Sequence, residues 1–217
     1  MGKTPDLAVP PRGGRGDEQP ARELWVARFG RTERFAHWCT VLMLGAALLT
    51  GLAMGDDGGS GALLRMHVGS VVLIGVGIAG AMLFGDRRRL LRSMGRLFGF
   101  DRRDLAWLRG RLRRPADRGH DPEWGMFNSG QKLLAWALSA SVVAVVVSGV
   151  QAWSAHAEGG GSHGTAVAVT AGLLSAHIFM AVVNPPTRPA LAGMVFGRVS
   201  RSWAAEHHPG WLESLDR

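Results

Sequence analysis

The sequence has almost no cysteine. Cys39 is the only one among 217 residues, so the chain can form no internal disulfide. It also lacks any C-x-x-C-H stretch, which excludes covalent haem attachment. Cys39 lies inside an apolar run and reads as a small packing residue. The first 22 residues contain no apolar stretch of the kind a secretory signal needs. Their mixture of Pro, Gly, Arg and acids reads as a disordered cytoplasmic tail. Charge is missing from the middle of four long apolar runs, where there is no Lys, Asp or Glu.

What is present is arranged in those four runs. They cover about residues 35–54, 62–84, 133–153 and 163–183, each near the roughly 20 residues that cross a bilayer core. The net charge is +8, but the arginines flank the runs, which points to topology and anionic lipid rather than to nucleic acid. Twelve arginines lie between Arg87 and Arg118, in the connection between the second and third runs. The other two connections are short. One is acidic around Asp56-Asp57, and the other carries no Lys or Arg. The positive-inside rule therefore puts the long connection and both termini in the cytoplasm. The expectation is an all-α membrane protein, a bundle of four transmembrane helices with both termini cytoplasmic and with cytoplasmic amphipathic segments. Residues 23–211 form its domain, and 212–217 form a C-terminal tail.

Within the long connection, Leu90, Leu91, Met94, Leu97 and Phe98 recur at helical spacing among arginines, as in an interfacial amphipathic helix. Pro185-Pro186 should end the fourth helix, since proline cannot continue it. The segment from Arg188 to Arg217 reads as a second surface helix, stopped near Pro209. An internal echo links Thr50-Gly51 with Ser148-Gly149, at one depth near the outer face. Small residues there allow close approach of a neighbouring helix or of a flat macrocycle.

Four of the eight histidines lie at the spans. His120, His207 and His208 fall in cytoplasmic segments and call for no special reading. His37 is at the inner start of the first span and His67 at the outer start of the second. His163 and His177 bracket the fourth. Those two are 14 residues apart, nearly four helical turns, so they share a face and differ in depth by about 21 Å. His37 then matches His177 at the inner depth, and His67 matches His163 at the outer depth. Two such pairs fit two b-type haems, and bis-histidine ligation leaves no open iron position, which suits electron transfer. His156 competes with His163 for the same face, but its surroundings, Ala157, Glu158 and three glycines, place it in solvent.

Several stretches together resemble a known family. These are Arg28-Phe29 with Glu33-Arg34-Phe35-Ala36-His37-Trp38, then Leu49-Thr50-Gly51, then Phe127-Asn128-Ser129-Gly130-Gln131-Lys132, and Ser148-Gly149. They resemble the cytochrome b (gamma) subunit of respiratory formate dehydrogenases, within the b561-like di-haem group. The resemblance implies that His37 and His177 ligate an inner haem b, and His67 and His163 an outer one. It implies that Asn128, Gly130 and Gln131 help to bind menaquinone. It also implies an iron–sulfur (beta) partner, a catalytic molybdenum or tungsten subunit, and no dehydrogenase active site in this chain. The residue chemistry of Asn128 and Gln131 suits a quinone carbonyl, since their amides donate hydrogen bonds. It equally suits a helix N-cap at Asn128 or Ser129. Three other expectations stand beside the leading one. They are a haem-free or single-haem anchor, the cytochrome b of a hydrogenase or another molybdoenzyme, and a histidine proton relay, which would need polar or broken midplanes.

Overall fold

A computed structural model describes residues 24–55, 60–113, 125–154 and 161–217. The N-terminal tail, the outer-loop residues around Asp56 and His156, and the segment holding Arg118 and His120 lie outside the described residues.

Four helices are long and apolar enough to cross a membrane: α1 (Arg31–Met54), α2 (Gly61–Phe84), and, beyond two cytoplasmic helices, the spans Ser129–Ser154 and Gly161–Val183. The cytoplasmic pair is α3 (Arg87–Phe98) and α4 (Arg102–Arg113). The third span is α5 (Ser129–Ser154), and the fourth begins as α6 (Gly161–Ile178). Each span starts earlier than its apolar run, because the first turn of a helix tolerates polar residues that satisfy its free N–H groups. At α1 the Glu33 carboxylate accepts from the Gly30 N–H at 3.0 Å. At α2 Ser60 accepts from the Leu63 N–H at 3.3 Å.

The fourth span does not stop cleanly. After Ile178 the ladder widens into a π-turn, Phe179–Val183, closed by the Asn184 N–H donating to the Phe179 carbonyl at 3.0 Å. Pro185 and Pro186 follow and carry no N–H to continue it. The Thr187 hydroxyl turns back to donate to the Met180 carbonyl. This wide turn begins two residues after His177 and sets how that end of the span meets the cytoplasmic layer.

The spans form two hairpins. α1 packs along α2, and α5 along α6, while among the described residues the hairpins make no comparable seam with each other. Cys39 lies in the α1–α2 seam, where Gly77 leaves room for its Sγ.

The amphipathic helix expected in the long connection is α3, with Leu90 buried and Arg87, Arg88, Arg92 and Arg96 exposed. Glu33 fastens it to α1. That buried carboxylate accepts from Ser93 Oγ at 2.9 Å and Arg89 Nε at 3.2 Å as well as from Gly30. The bond from the Asp86 N–H to Thr32 Oγ1, 2.9 Å, closes the corner between α2 and α3.

The C-terminal segment is not one surface helix. It runs through a 3-10 turn, α7 (Leu191–Phe196), β2 (Arg198–Ser200), α8 (Arg201–His207) and α9 (Pro209–Glu213). β2 pairs antiparallel with β1 (Trp25–Ala27), in the register Trp25–Ser200, Val26–Val199, Ala27–Arg198. Gly197, with φ +82°, makes the left-handed turn into β2. Pro209 starts a helix rather than stopping one, because the first helical position needs no N–H. Val26, Phe29, Met126, Val199, Trp203, Ala204 and Trp211 form the core of this cytoplasmic module, and Leu212 packs against it.

Two polar groups sit inside that core. Arg28 is buried, donates to the Met126 carbonyl at 2.8 Å, and lies over the rings of Trp203 and Trp211. Burial lowers its pKa to about 10. His208 beside it is 1% exposed, with Nδ1 2.9 Å from the Gly125 carbonyl. Burial first, then the Arg28 charge and a smaller push from His207, lower its pKa to about 3, against an upward pull from the Gly125 carbonyl.

Candidate haem sites and quinone edge

Two helices bring each histidine pair together. At the outer depth His67 of α2 faces His163 of α6, with ring centroids 6.2 Å apart and planes at 86°. At the inner depth His37 of α1 faces His177 of α6, at 6.3 Å and 63°. All four rings are partly buried. Because α1 and α2 belong to one hairpin and α6 to the other, each pair bridges the hairpins. Two metal–imidazole bonds of about 2 Å each, plus roughly an ångström of ring on either side, separate two centroids by about 6 Å. The donor set therefore fits an iron held between each pair. Among the described residues there is no cluster of three or more His, Cys, Asp or Glu. A two-histidine, macrocycle-bound iron needs none.

The outer rings are held from behind. His67 Nδ1 is 2.9 Å from the Ala47 carbonyl and 3.4 Å from Thr50 Oγ1. His163 Nδ1 is 3.1 Å from the Val145 carbonyl and 3.2 Å from Ser148 Oγ. Acceptors at Nδ1 place the ring hydrogen there and leave Nε2 free as a ligand. Thr50-Gly51 and Ser148-Gly149 thus meet imidazoles. A Cβ on Gly51 would stand 3.3 Å from His67 Cε1, and one on Gly149 would stand 3.1 Å from His163 Cε1. The repeat was visible in the sequence, but its contact with the histidines was not.

Asn128, Gly130 and Gln131 open α5 at the cytoplasmic edge. The Asn128 N–H donates to Gln131 Oε1 at 3.1 Å, and the Gln131 N–H donates to Asn128 Oδ1 at 2.9 Å, a reciprocal cap. The cap uses the two amide oxygens. The donor a quinone carbonyl requires is the NH2 end of each side chain, so capping and quinone binding are compatible. Beside the cap, the Asp104 carboxylate of α4 is 2% exposed and accepts from Ser129 Oγ, from Lys132 Nζ at 2.7 Å and from the Asp101 N–H at 2.9 Å. Burial alone would raise its pKa, but the Lys132, Ser129 and Asp101 hydrogen bonds outweigh that and hold it below the ordinary range. Asp104→Ala should strand Lys132, whose side chain is 13% exposed, and lower stability by about 3 kcal/mol, read as a drop in thermal midpoint. An unchanged midpoint would show that Lys132 finds water instead. A cleft of about 380 Å³ nearby is lined by Asp101, Asp104, Lys132 and Glu213 among others. That charged lining suits water and ions, not a quinone ring.

The family described as "Prokaryotic cytochrome b561" matches residues 28–197, which contain both histidine pairs. The chain belongs to that family. It is a multi-pass inner-membrane cytochrome b. The chain is 24% identical over 200 residues to the Escherichia coli (strain K12) "Formate dehydrogenase, cytochrome b556(fdo) subunit", covering 88% of this chain and 93% of that one. The match to the E. coli "Formate dehydrogenase, nitrate-inducible, cytochrome b556(Fdn) subunit" is 25% over 128 residues, 54% of this chain and 58% of that protein. The "Formate dehydrogenase, cytochrome b556 subunit" of Haemophilus influenzae is 28% identical over 127 residues, spanning 51% of this chain and 50% of that one. This cytochrome b thus spans half or somewhat more of the length of some relatives and nearly all of another.

Proposed function

We propose that this b561-family chain is the di-haem subunit of a formate dehydrogenase-like complex, linking a donor at the outer face to menaquinone at the inner edge. The observation that carries the reading is the pair of imidazole pairs, 6.2 and 6.3 Å between ring centres, spanning the hairpins at two depths. His67 and His163 would hold an outer haem b, and His37 and His177 an inner one. When bound, the two haems supply one-electron carriers at the two depths. The names of the relatives favour formate dehydrogenase over other molybdoenzymes. The partners in that reading are an iron–sulfur subunit at the outer face and, beyond it, a catalytic molybdenum or tungsten subunit.

The chain's own work is to place ligands and a polar edge. Nδ1–H donation orients the outer rings. At the inner edge the NH2 groups of Asn128 and Gln131 donate to the quinone carbonyls, and Gly130 lets the ring approach the backbone. Protons for the quinone come from the cytoplasm, so turnover separates charge across the membrane.

The first test is a reduced-minus-oxidised spectrum of the purified full chain with a haem-to-protein ratio. The expected result is a b-type signal at about two haems per chain. No b-type signal would overturn the reading, and a ratio near one would mean that one pair is not a ligand pair. For the quinone edge, Asn128→Asp keeps the capping oxygen and removes the NH2 donor. It should leave the spectrum intact and slow reoxidation of the reduced protein by a menaquinone analogue about tenfold, the loss of one hydrogen bond to a bound ligand. Unchanged reoxidation would place the quinone elsewhere.

A further inference from the structure

The two outer histidines are held by the same arrangement, built twice. In one hairpin the Ala47 carbonyl and Thr50 Oγ1 of α1 meet Nδ1 of His67. In the other the Val145 carbonyl and Ser148 Oγ of α5 meet Nδ1 of His163. The spacing is identical: carbonyl, hydroxyl three residues on, glycine one further, at 47, 50 and 51 and at 145, 148 and 149. Each hydroxyl spends its own hydrogen on its helix. Thr50 Oγ1 donates to the Ala46 carbonyl at 2.7 Å, and Ser148 Oγ to the Ala144 carbonyl at 2.7 Å. What each presents to the imidazole is therefore an acceptor. Thr50 and Ser148 are 8% and 7% exposed, so water does not compete strongly for that bond.

The inner pair is different. Among the described residues, His37 makes ring contacts with Trp38 and His177, but neither His37 nor His177 has a ring-nitrogen hydrogen bond. An imidazole that donates its N–H to a carbonyl or hydroxyl is a more basic ligand through its other nitrogen. A more basic ligand favours iron(III) over iron(II) and lowers the reduction potential of the site.

We propose that Thr50 and Ser148, with the Ala47 and Val145 carbonyls, form a duplicated seat that orients the outer histidines and makes the outer site the lower-potential one of the two. The proposal rests on the di-haem reading above. Thr50 and Ser148 are positioning residues, acting through His67 and His163. The order of potentials suits entry of electrons at the outer face.

The test is an anaerobic optical redox titration of the full-length purified protein, with low-temperature EPR of its oxidised form. Ser148→Ala and Thr50→Val remove the hydroxyls. The lower of the two b-type steps should move up, with about a threefold change in the ratio of oxidised to reduced protein at a fixed potential for Ser148→Ala. Thr50→Val should move it less, because Thr50 Oγ1 is 3.4 Å from the ring and Ser148 Oγ is 3.2 Å. Ser148→Thr restores an acceptor and should restore the parent value. If Ser148→Ala fails to accumulate, Gly149→Ala is the second probe. Its methyl carbon meets His163 Cε1 at 3.1 Å and should press the ring off the Val145 carbonyl, again raising the lower step. Gly172→Ala, which meets nothing within 4 Å, should change neither step. A lower step that stays put with both haems retained would overturn the proposal, and so would a shift confined to the higher step. A parent protein without two b-type steps would overturn the di-haem reading instead.

Discussion

His163→Ala should halve the haem content, from about two per chain to one, and leave the remaining signal bis-histidine. The reason is the position of His163. It is the α6 member of the outer pair, its ring centre lies 6.2 Å from that of His67, and its Nδ1 is held by α5. Removing it leaves His67 without an opposing ligand. In the proposed di-haem reading the inner pair, His37 and His177, should keep its own haem. His177→Ala should do the converse and, in the proposed reading, also stop electron transfer to the quinone, because His177 would ligate the inner haem. A bound haem stabilises the folded state by mass action, and each pair bridges hairpins that otherwise touch little, so both variants should also melt earlier. The measurements are the haem-to-protein ratio and the thermal midpoint. An unchanged ratio for His163→Ala would move the outer ligand to another histidine of that end, with His156 first in line.

Acid should loosen the cytoplasmic module before it disturbs the spans. His208 is buried with a pKa near 3, far below the ordinary histidine value of 6.5. The folded protein therefore keeps this ring neutral between those two values, while the unfolded chain protonates it. Unfolding takes up a proton in that window, so stability is fully present above about pH 6.5 and falls as the pH drops toward 3. Each pH unit removes about 1.4 kcal/mol, so the loss at pH 5 is about 2 kcal/mol. The cause is burial first, then the neighbouring Arg28 cation, whose Nη2 is 3.4 Å from His208 Nε2. Asp104 adds a dependence of the same sign. Its folded pKa lies below the ordinary value, so its contribution is present above that value and fades at lower pH still. Trp203 and Trp211 pack in the core beside His208, so tryptophan fluorescence or limited proteolysis of the C-terminal segment would follow the change. His208→Gln removes the titrating group while keeping a donor toward Gly125, and should flatten the response between pH 4 and 6.5. A slope that persists in that variant would assign the acid sensitivity elsewhere.

Much of the site was legible in the sequence because it depends on local rules. Span length, arginine bias and the 14-residue step from His163 to His177 need only the helical rise and a bilayer of known thickness. The cap at Asn128 was legible as one of two readings, since Asn three residues before Gln is a capping pattern whatever else it does. His208 was not. It stands among cytoplasmic residues, and nothing near it in the chain announces burial. Its environment comes from Arg28, 180 residues away, and from Gly125, 83 residues away. Nor was the role of Thr50 and Ser148. A hydroxyl beside a glycine in an apolar span is ordinary helix-packing material until a ring from the next helix is seen against it.

By itself, then, the amino-acid sequence determined that this chain crosses the membrane four times with nearly all of its arginines inside and its span histidines at two depths. Those features follow from periodicity and charge along one dimension. Beyond the histidine pairs, only the tertiary structure decided which groups face one another. It turned two dipeptides into seats for His67 and His163, tied α3 to α1 through Glu33, and folded the C-terminal segment around a buried Arg28 and His208. Such contacts join residues distant in the chain, and their energies depend on distance and burial, which no local pattern encodes.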